Sequence, residues 1–198
     1  MDARNLYEAE IQYTSYRLYE LQKSPIEGRF DFKHLCEIHR YIFQDLYEWA
    51  GEPRTVDIGK GNMFCRMQFI QDYAKDIFRS YYPNCICCKD DPDRFVEVLV
   101  SHYADLNALH PFREGNGRSQ REFARELCLQ CGYMFDLSGT SHGEMLNASV
   151  ESFDRGDNSL LMNIFRKAVI PFKDYKPKAN VSINILTSDD LDMEAIVN

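Results

Sequence analysis

The sequence lacks long apolar runs and any recognisable export signal. No stretch approaches the roughly 20 consecutive apolar residues that a membrane-spanning helix requires. The opening residues MDARNLYEAE also lack the basic and then apolar pattern of a secretory signal. These absences predict a cytoplasmic protein without a membrane partner.

Positive charge is also scarce. Lysine and arginine number 23 and aspartate and glutamate number 31, which gives a formal net charge of −8. An acidic balance of this kind argues against broad electrostatic affinity for nucleic acid. We therefore expect no direct nucleic-acid partner, and any anionic ligand must be held by a local site.

The cysteines do not form a pattern typical of disulfide-bonded proteins. Their number is seven, which is odd, and they are scattered along a chain with enough apolar residues to form a core. Reduced thiols are the simpler prediction. The C-x-x-C pair Cys128 and Cys131 falls in a predicted helix that needs an apolar face, so core packing is favoured over a zinc or redox site.

The composition is that of a soluble globular domain. The chain has 198 residues, of which 44% are hydrophobic and 27% charged, enough for one domain with its own core. Apolar residues recur with helical spacing over residues 3–21, 31–50, 68–82, 94–109, 115–131, 141–154 and 158–168. This pattern predicts an all-α helical bundle.

Two segments depart from the helical pattern. Residues 54–64 combine a β-type run, Thr55 to Ile58, with the turn residues Gly59 to Asn62, which predicts a small β-hairpin flap. From residue 174 onward the character changes, and Val181 to Ile185 alternates with strand periodicity. We therefore predict a domain over residues 1–173 and a C-terminal appendage over 174–198.

The segment from His110 to Arg121, HPFREGNGRSQR, has the composition of a phosphate site. Gly115 and Gly117 allow backbone N–H groups to approach a ligand, and the helix that follows presents its positive dipole end. Arg118 and Arg121 are spaced to share a helical face, to which Arg125 would also belong. Guanidinium groups match phosphate oxygens, so the pattern favours a chain of phosphates as the ligand.

Two further side chains in this segment bear chemistry. The carboxylate of Glu114 suits a Mg²⁺ ion that is shared between one protein ligand and phosphates. The imidazole of His110 belongs to the side-chain type best suited to general-base catalysis near neutral pH. Together these residues indicate transfer of a phosphate-containing group from a nucleotide to a hydroxyl.

The same segment matches every fixed position of the H-P-F-x-[DE]-G-N-G-R-x-x-R signature of Fic proteins, the protein adenylylating enzymes. The resemblance extends from about Asn5 to Pro171 and includes the segments SPIEG at residues 24–28, YEWAG at 47–51 and RTVDI at 54–58. The chain most resembles the short bacterial Fic toxins. The resemblance implies the Fic fold, a helical bundle with a β-hairpin flap, and transfer of AMP from ATP to a Ser, Thr or Tyr hydroxyl of a target protein.

The resemblance also implies individual roles. His110 would deprotonate the target hydroxyl, Glu114 would coordinate Mg²⁺, and Asn116 with the neighbouring amides would hold the α-phosphate, while Arg118 and Arg121 would grip the β- and γ-phosphates. Phe112 would anchor the loop in the core. The full set implied for nucleotide binding is Lys60, Gly61, Gly115, Asn116, Gly117, Arg118, Ser119, Gln120 and Arg121.

In the same family the flap binds the modified segment of the target as an added strand. The resemblance therefore implies target docking at Ile58, Gly59, Asn62 and Met63. It also offers a bacterial type II topoisomerase subunit as a candidate target. Two alternatives stay open, namely a non-enzymatic nucleotide-binding module and an enzyme that uses another nucleotide donor.

Many Fic proteins are inhibited by a helix with the motif [ST]-x-x-x-E-[GN], whose glutamate pairs with the second arginine of the signature, here Arg121. This chain has no match: Thr140 to Glu144 is followed by Met145, and Ser188 to Asp192 has aspartate in place of glutamate. We therefore predict that a separate small antitoxin supplies the inhibitory glutamate.

Overall fold

The computed structural model describes residues 3–176 and 195–196. Its described part is mostly helical, with helices α1 (Ala3–Lys23), α2 (Phe32–Phe43), α3 (Ile70–Cys87), α4 (Pro92–Leu109), α5 (Asn116–Gln130), α6 (His142–Arg155) and α7 (Ser159–Ala168). Its short strands are β1 (Ile58–Lys60), β2 (Asn62–Met63), β3 (Tyr133–Phe135), β4 (Val169–Pro171) and β5 (Ala195–Ile196). The predicted fold class, a helical bundle with a small hairpin, is confirmed.

The core forms around α4 and α5. Helix α4 packs against α3, α5, α6 and α7, while α5 also packs against α2. Phe123 of α5 and Leu99 and Leu106 of α4 are fully buried. All seven cysteines lie in the described part of the chain without a disulfide, and Cys128 is buried in the core as predicted. Among the helices described, none is long and apolar enough to span a bilayer.

Helix ends mostly follow local sequence signals. Asp31 and Asp91 each accept a hydrogen bond from the amide three residues on and thereby cap α2 and α4. Ser141 and Glu144 form a reciprocal capping box at the start of α6, and Gly156 ends this helix in the left-handed conformation.

The prediction that the second helix continues to residue 50 is wrong, because α2 ends at Phe43. The rings of Tyr47 and Trp49 stack with centroids 4.4 Å apart. Residues two apart point to opposite sides of an α-helix, so this contact requires the helix to have ended. The turns after α2 bring Gly51 back to the helix, where its N–H donates to His39 Nδ1 at 2.8 Å.

The predicted helix break at Pro83 is also wrong, because α3 runs through this proline to Cys87. Proline removes one backbone hydrogen bond and crowds the preceding turn. Tyr81 before it and Cys85 after it are nonetheless both fully buried on the face of α3 that packs on α4. Burial of this continuous face outweighs the local cost of the proline.

Two sheets are found in the described residues, and only the hairpin was predicted. Strands β3 and β4 pair antiparallel, with Met134 opposite Ile170, and each has three residues, which is too short for a detectable alternation. In the flap, β1 pairs with β2 on one side and with β5 on the other, so the order is β2-β1-β5. The segment Val181 to Ile185, whose sequence alternates with strand periodicity, lies outside the described residues.

Candidate active site

The loop between α4 and α5 begins at a strained residue. His110 follows α4 with φ 45° and ψ 63°, and its N–H donates to Leu106 O at 3.2 Å. A residue with a Cβ rarely adopts this left-handed conformation, which carries a cost of about 1 kcal/mol or more. The turn directs the chain from the end of α4 towards the start of α5.

Two contacts fix the imidazole of His110. Its Nδ1 lies 3.1 Å from the Asn107 carbonyl oxygen, an acceptor, so Nδ1 carries the proton. The proton-accepting lone pair of the neutral ring is therefore on Nε2. Phe64, just after β2, stacks on the imidazole with ring centroids 3.8 Å apart and an angle of 14° between the planes. The ring is thus held in the orientation and tautomer that a general base requires.

His39 of α2 supports the loop from beneath. Its Nε2 donates to Glu114 O at 3.0 Å, its Nδ1 accepts from Gly51, and its ring stacks on Phe112 with centroids 3.8 Å apart. Burial lowers the pKa of His39 to about 3, so the ring is neutral. Phe112 is buried, consistent with its predicted role as an anchor. No spacing in the sequence marks His39 for this role.

Asn116 and Gly115 close the loop onto itself. The side chain of Asn116 accepts from Phe112 N–H at 2.9 Å and donates to Phe112 O at 2.8 Å. Gly115 has φ 77°, and a Cβ at this position would lie 2.0 Å from Cζ of Phe43. The glycine is therefore required both by backbone conformation and by space.

The first turn of α5 faces the loop that it follows. Gly115 provides no side-chain cap, and the Ser119 amide donates to Gly115 O at 3.1 Å as the first regular helical bond. The preceding amides, from Asn116 to Arg118, are directed along the helix axis at its positive end. This arrangement suits a phosphate group, as the sequence predicted.

The two signature arginines lie at different depths. Arg118 is 2% exposed and contacts Glu10 of α1, Thr14 Oγ1 at 3.3 Å, and the Phe43 ring at 4.7 Å from the centroid. Arg121 is only half-buried and lines a cleft between the loop after α4, the first turn of α5 and one face of α6. Arg118 is therefore held by α1, whereas Arg121 presents the more accessible guanidinium group.

The structure does not bring every predicted residue of α5 to the cleft. Ser119 is fully buried, and its hydroxyl donates to Gly115 O at 3.1 Å. Gln120 borders the cleft, but its amide donates to Leu106 O at 3.2 Å. Arg125 pairs with Glu122 and donates to Leu21 O at 2.9 Å, so the expected stripe of three arginines ends at Arg121.

The cleft is an open groove, and its empty space of about 850 Å³ includes solvent at its mouth. One wall is a face of α6 that sequence reasoning missed, formed by Met145, Leu146, Ser149, Val150, Phe153 and Asp154. Helix α6 also buries Ala148 and Ser152 against the core. In the sequence, α6 carries apolar residues on this face in addition to those that face the core. This second apolar stripe was the signal that could have indicated a ligand-facing surface.

The flap lies over one side of the cleft. Ile58 is buried, Met63 is exposed, and the tip residue Gly61 has φ 80° with nothing near its missing Cβ. Asn62 Nδ2 donates to Asp154 Oδ1 at 2.8 Å and thereby joins the flap to the end of α6. Gly61 does not line the cleft, and Lys60 is the last residue of β1.

Arg54, which was noted in the sequence only as part of the RTVDI segment, attaches the flap to the motif loop. Its buried guanidinium donates to His110 O at 2.9 Å, to Val56 O at 2.7 Å and to Cys65 O. Its own backbone N–H donates to Pro111 O at 2.8 Å. Arg54 therefore joins the flap to the backbone of the general-base candidate.

Glu114 directly precedes Gly115, the N-cap residue of α5. Its side chain is 18% exposed, and its Oε1 accepts from the Gly115 amide at 2.8 Å and lies 3.4 Å from Arg118 Nη2. No group of three or more metal-ligating side chains occurs in the part of the chain that the structure describes. A single carboxylate fits a Mg²⁺ ion that takes most of its remaining ligands from phosphates and water.

The sequence is similar to those of two curated bacterial proteins. The chain is 34% identical over 197 residues to the protein adenylyltransferase VbhT of Bartonella schoenbuchensis, covering 98% of this chain and 41% of that protein. It is 33% identical to the probable protein adenylyltransferase Fic of Salmonella typhimurium, covering 84% of this chain and 82% of that protein. The chain thus spans about two fifths of the length of VbhT.

Solved structures with a similar fold also exist. The N-terminal Fic domain of a putative cell filamentation protein from Bartonella quintana, solved with bound ADP, superposes with a TM-score of 0.81 at 26% identity. The alignment covers 87% of this chain and 88% of that one. A sequence model of the Fic/DOC family matches residues 29–128, which include the whole motif loop and most of α5. The chain belongs to the Fic/DOC family.

Proposed function

We propose that the chain is a protein adenylyltransferase that transfers AMP from ATP to a Ser, Thr or Tyr hydroxyl of a target protein. The observation that carries the proposal is that a single cleft is lined by His110, Glu114, Gly117, Arg118 and Arg121. The names of two relatives, the protein adenylyltransferase VbhT and the probable protein adenylyltransferase Fic, support the same reaction.

His110 is the general base of the proposed reaction. Its Nε2 takes the proton from the target hydroxyl, and the hydroxyl oxygen attacks the α-phosphorus of ATP. The bond from the α-phosphorus to the bridging oxygen breaks, and diphosphate leaves with the electron pair. The hydrogen bond from Nδ1 to Asn107 stabilises the imidazolium that forms, because the same N–H group persists in the charged ring.

The first turn of α5 holds the phosphates in this proposal. The amides from Asn116 to Arg118 face the α-phosphate, and Arg121 and Arg118 offset the charge of the β- and γ-phosphates. Because the side chain of Asn116 bonds Phe112 on both its oxygen and its nitrogen, its part in phosphate binding is assigned to its backbone amide. The apolar wall of α6 accepts the base and ribose.

Glu114 would hold a Mg²⁺ ion together with phosphate oxygens. When bound there, the ion would offset negative charge on the phosphates and on the leaving diphosphate. The hydrogen bond that Glu114 Oε1 accepts from the Gly115 amide holds the carboxylate beside the first turn of α5. His39, through its bond to Glu114 O, supports the backbone that carries this carboxylate.

The flap is the proposed docking site for the target. Ile58 and Gly59 in β1 would bind an extended target segment through main-chain hydrogen bonds, with Asn62 and Met63 flanking it. Arg54 supports this role because it joins the flap to the His110 carbonyl. A docked segment would therefore be held at a fixed distance from the base.

Regulation in trans completes the proposal. The sequence contains no match to the inhibitory motif, which favours a bacterial toxin restrained by a separate antitoxin whose glutamate pairs with Arg121. A type II topoisomerase subunit is the candidate target by family resemblance. These assignments predict that the purified chain alone is active and that its cognate antitoxin reduces transfer.

Labelled nucleotide distinguishes the candidate reactions. The chain is incubated with a bacterial lysate and with ATP labelled at either the α- or the γ-phosphate, and protein-bound label is measured. We expect the α-label alone to reach protein. Transfer of the γ-label would indicate a kinase, and transfer of neither would indicate a binding module or another donor, which α-labelled GTP, UTP and CTP then test.

Two arginine variants provide the matched control. Arg121→Ala removes a guanidinium that lines the cleft, whereas Arg94→Ala removes one that is 62% exposed on α4 and paired with Glu97. We expect Arg121→Ala to weaken ATP binding by at least about tenfold, since one charge-assisted contact contributes about 1.5–3 kcal/mol. Arg94→Ala should bind as the wild type does, and equal effects of both substitutions would contradict the assignment.

A further inference from the structure

The flap already contains a strand from elsewhere in the chain. Strand β5 pairs antiparallel with β1, with Ile196 opposite Ile58 and Ala195 opposite Gly59. On its other edge β1 pairs with β2, with Met63 opposite Gly59. A strand has two edges for hydrogen bonding, so both edges of β1 are occupied.

The burial of the hairpin agrees with a central position for β1. Ile58 and Gly59 are buried, whereas Asn62 and Met63 in β2 are exposed. This difference is that of a central strand with a neighbour on each side compared with an edge strand that has one.

We infer that residues 195–196 occupy the edge of β1 that a target segment needs, and that the chain thereby restrains target docking from within. This inference rests on the proposed function, because it assumes that the flap docks the target by strand addition. It assigns the C-terminal end a regulatory role distinct from inhibition at Arg121. The restraint acts on the target, since the described lining of the nucleotide cleft comes from residues 64–154.

The covalent connection makes this pairing feasible for so short a strand. Residues 177–194 join the body to β5 and can extend to about 60 Å, which is more than the diameter of a domain of this size. A tethered segment has an effective concentration in the millimolar range, so weak pairing suffices for partial occupancy. The sequence before β5 also carries Asp189, Asp190, Asp192 and Glu194, which are opposite in charge to Lys60 and Arg66 in and beside the flap.

Three chains test the inference: the full chain, a chain that ends at Asp190, and the double variant Ala195→Pro/Ile196→Pro. Of two consecutive residues in an antiparallel strand, one directs its N–H to a given neighbour, so two prolines remove the donor whichever residue provides it. The control is Asp190→Pro, which places a proline before β5 in the sequence. None of these changes alters a residue of the described core cluster, so the fold should persist.

The first readout is amide hydrogen exchange over residues 58–60, which requires no enzymatic activity. We expect exchange in the full chain and in Asp190→Pro to be about three- to tenfold slower than in the truncated chain and the double proline variant. The synthetic peptide LDMEAIVN, residues 191–198, should slow exchange in the truncated chain, and a scrambled peptide should not. Equal exchange rates in all chains would overturn the pairing.

The second readout is transfer of α-label from ATP to lysate proteins, with ATP affinity measured in parallel. Truncation and the double proline should raise transfer about three- to tenfold at unchanged ATP affinity. In the full chain β5 competes with the target, so the apparent target affinity is reduced to the fraction of molecules in which the edge of β1 is open. Slowed exchange with unchanged transfer would overturn the restraint. Absence of transfer from every chain would overturn the proposed function and the restraint with it, while the exchange rates alone would still decide the pairing.

Discussion

Gly115 joins the motif loop to α5 at a position where no other residue fits. Its φ of 77° disfavours any side chain, and an added Cβ would lie 2.0 Å from the Phe43 ring. We expect Gly115→Ala to lower the free energy of unfolding by about 2–4 kcal/mol, combining backbone strain with overpacking. Urea denaturation measures the change.

Gly143→Ala is the matched control for that substitution. Gly143 lies in the first turn of α6, and nothing is within 4 Å of its missing Cβ. Alanine there should leave stability unchanged or raise it by up to about 1 kcal/mol. If both glycine variants unfold at the same urea concentration, the close approach of Gly115 to Phe43 is not what the fold requires.

His39 predicts a specific pH dependence of stability. Its pKa is about 3 in the folded chain because of burial, against about 6.5 when unfolded. Between these values the unfolded state binds a proton that the folded state does not, so stability is full above pH 6.5 and falls as the pH drops towards 3. His39→Gln removes this contribution.

Urea denaturation of both chains between pH 7.5 and pH 5 checks the dependence on His39. The wild type should lose about 2 kcal/mol more than His39→Gln over this range. Parallel pH profiles for the two chains would show that the ring is not held neutral beneath the Glu114 carbonyl.

The reactive and ligand-binding residues could be predicted from the sequence, but the residues that position them could not. His110, Glu114 and Arg121 have side chains whose chemistry is evident from residue type and spacing, and the structure brings them to one cleft. The positions of His39 and Glu10 depend on packing between elements that are distant in sequence. A short motif carries no information about such partners.

At the scale of elements, Arg54 determines how the flap is joined to α4 and to the loop after it. Arg54→Met should leave the carbonyls of His110, Val56 and Cys65 without this donor, at a cost of about 2–4 kcal/mol in stability. It should also accelerate amide exchange over residues 55–65 beyond its effect elsewhere. Arg66→Met, which changes an exposed residue at the same end of the flap, is the control. A uniform change in exchange across the chain would contradict a specific flap attachment.

Element boundaries were predicted well where caps determine them and poorly where packing does. The start of α6 follows from Ser141 and Glu144, which form a capping box that is evident in the sequence. Helix α3 instead passes through Pro83 because Tyr81 and Cys85 are buried on both sides of it. Strands β3 and β4 depend on each other across more than 30 residues, and no local pattern indicates such a pair.

At the scale of the whole molecule, the N-terminal helix is part of the site. Glu10 of α1 is buried against Arg118 and also accepts from the Tyr47 hydroxyl. We expect Glu10→Gln to cost about 2–4 kcal/mol, because it removes the closer of the two carboxylates beside the buried Arg118. Chemical denaturation measures the loss, and Glu8→Gln on the exposed side of α1 is the control. Equal stability of the two variants would show that α1 merely covers the bundle.

The length and composition predicted one domain, and the helical periodicity predicted its class, because both depend on averages over many residues. The cleft could not be predicted in this way. It gathers side chains from Phe64 to Asp154, and Glu10 supports one of them from a still more distant part of the chain. Its shape follows from the packing of α4, α5 and α6, which local periodicity does not determine. The division into residues 1–173 and 174–198 stays a prediction.

The role of His110 is tested most directly by measuring AMP transfer and ATP affinity in the wild type, His110→Ala and His110→Asn. Asparagine is included because it tolerates the left-handed conformation of residue 110 and so preserves the loop. We expect both variants to bind ATP within about twofold of the wild type but to lose AMP transfer by at least about 100-fold, as removal of a general base requires. Retained transfer, or ATP affinity that falls in parallel with transfer, would contradict the assignment of His110 as the base beside a single bound nucleotide.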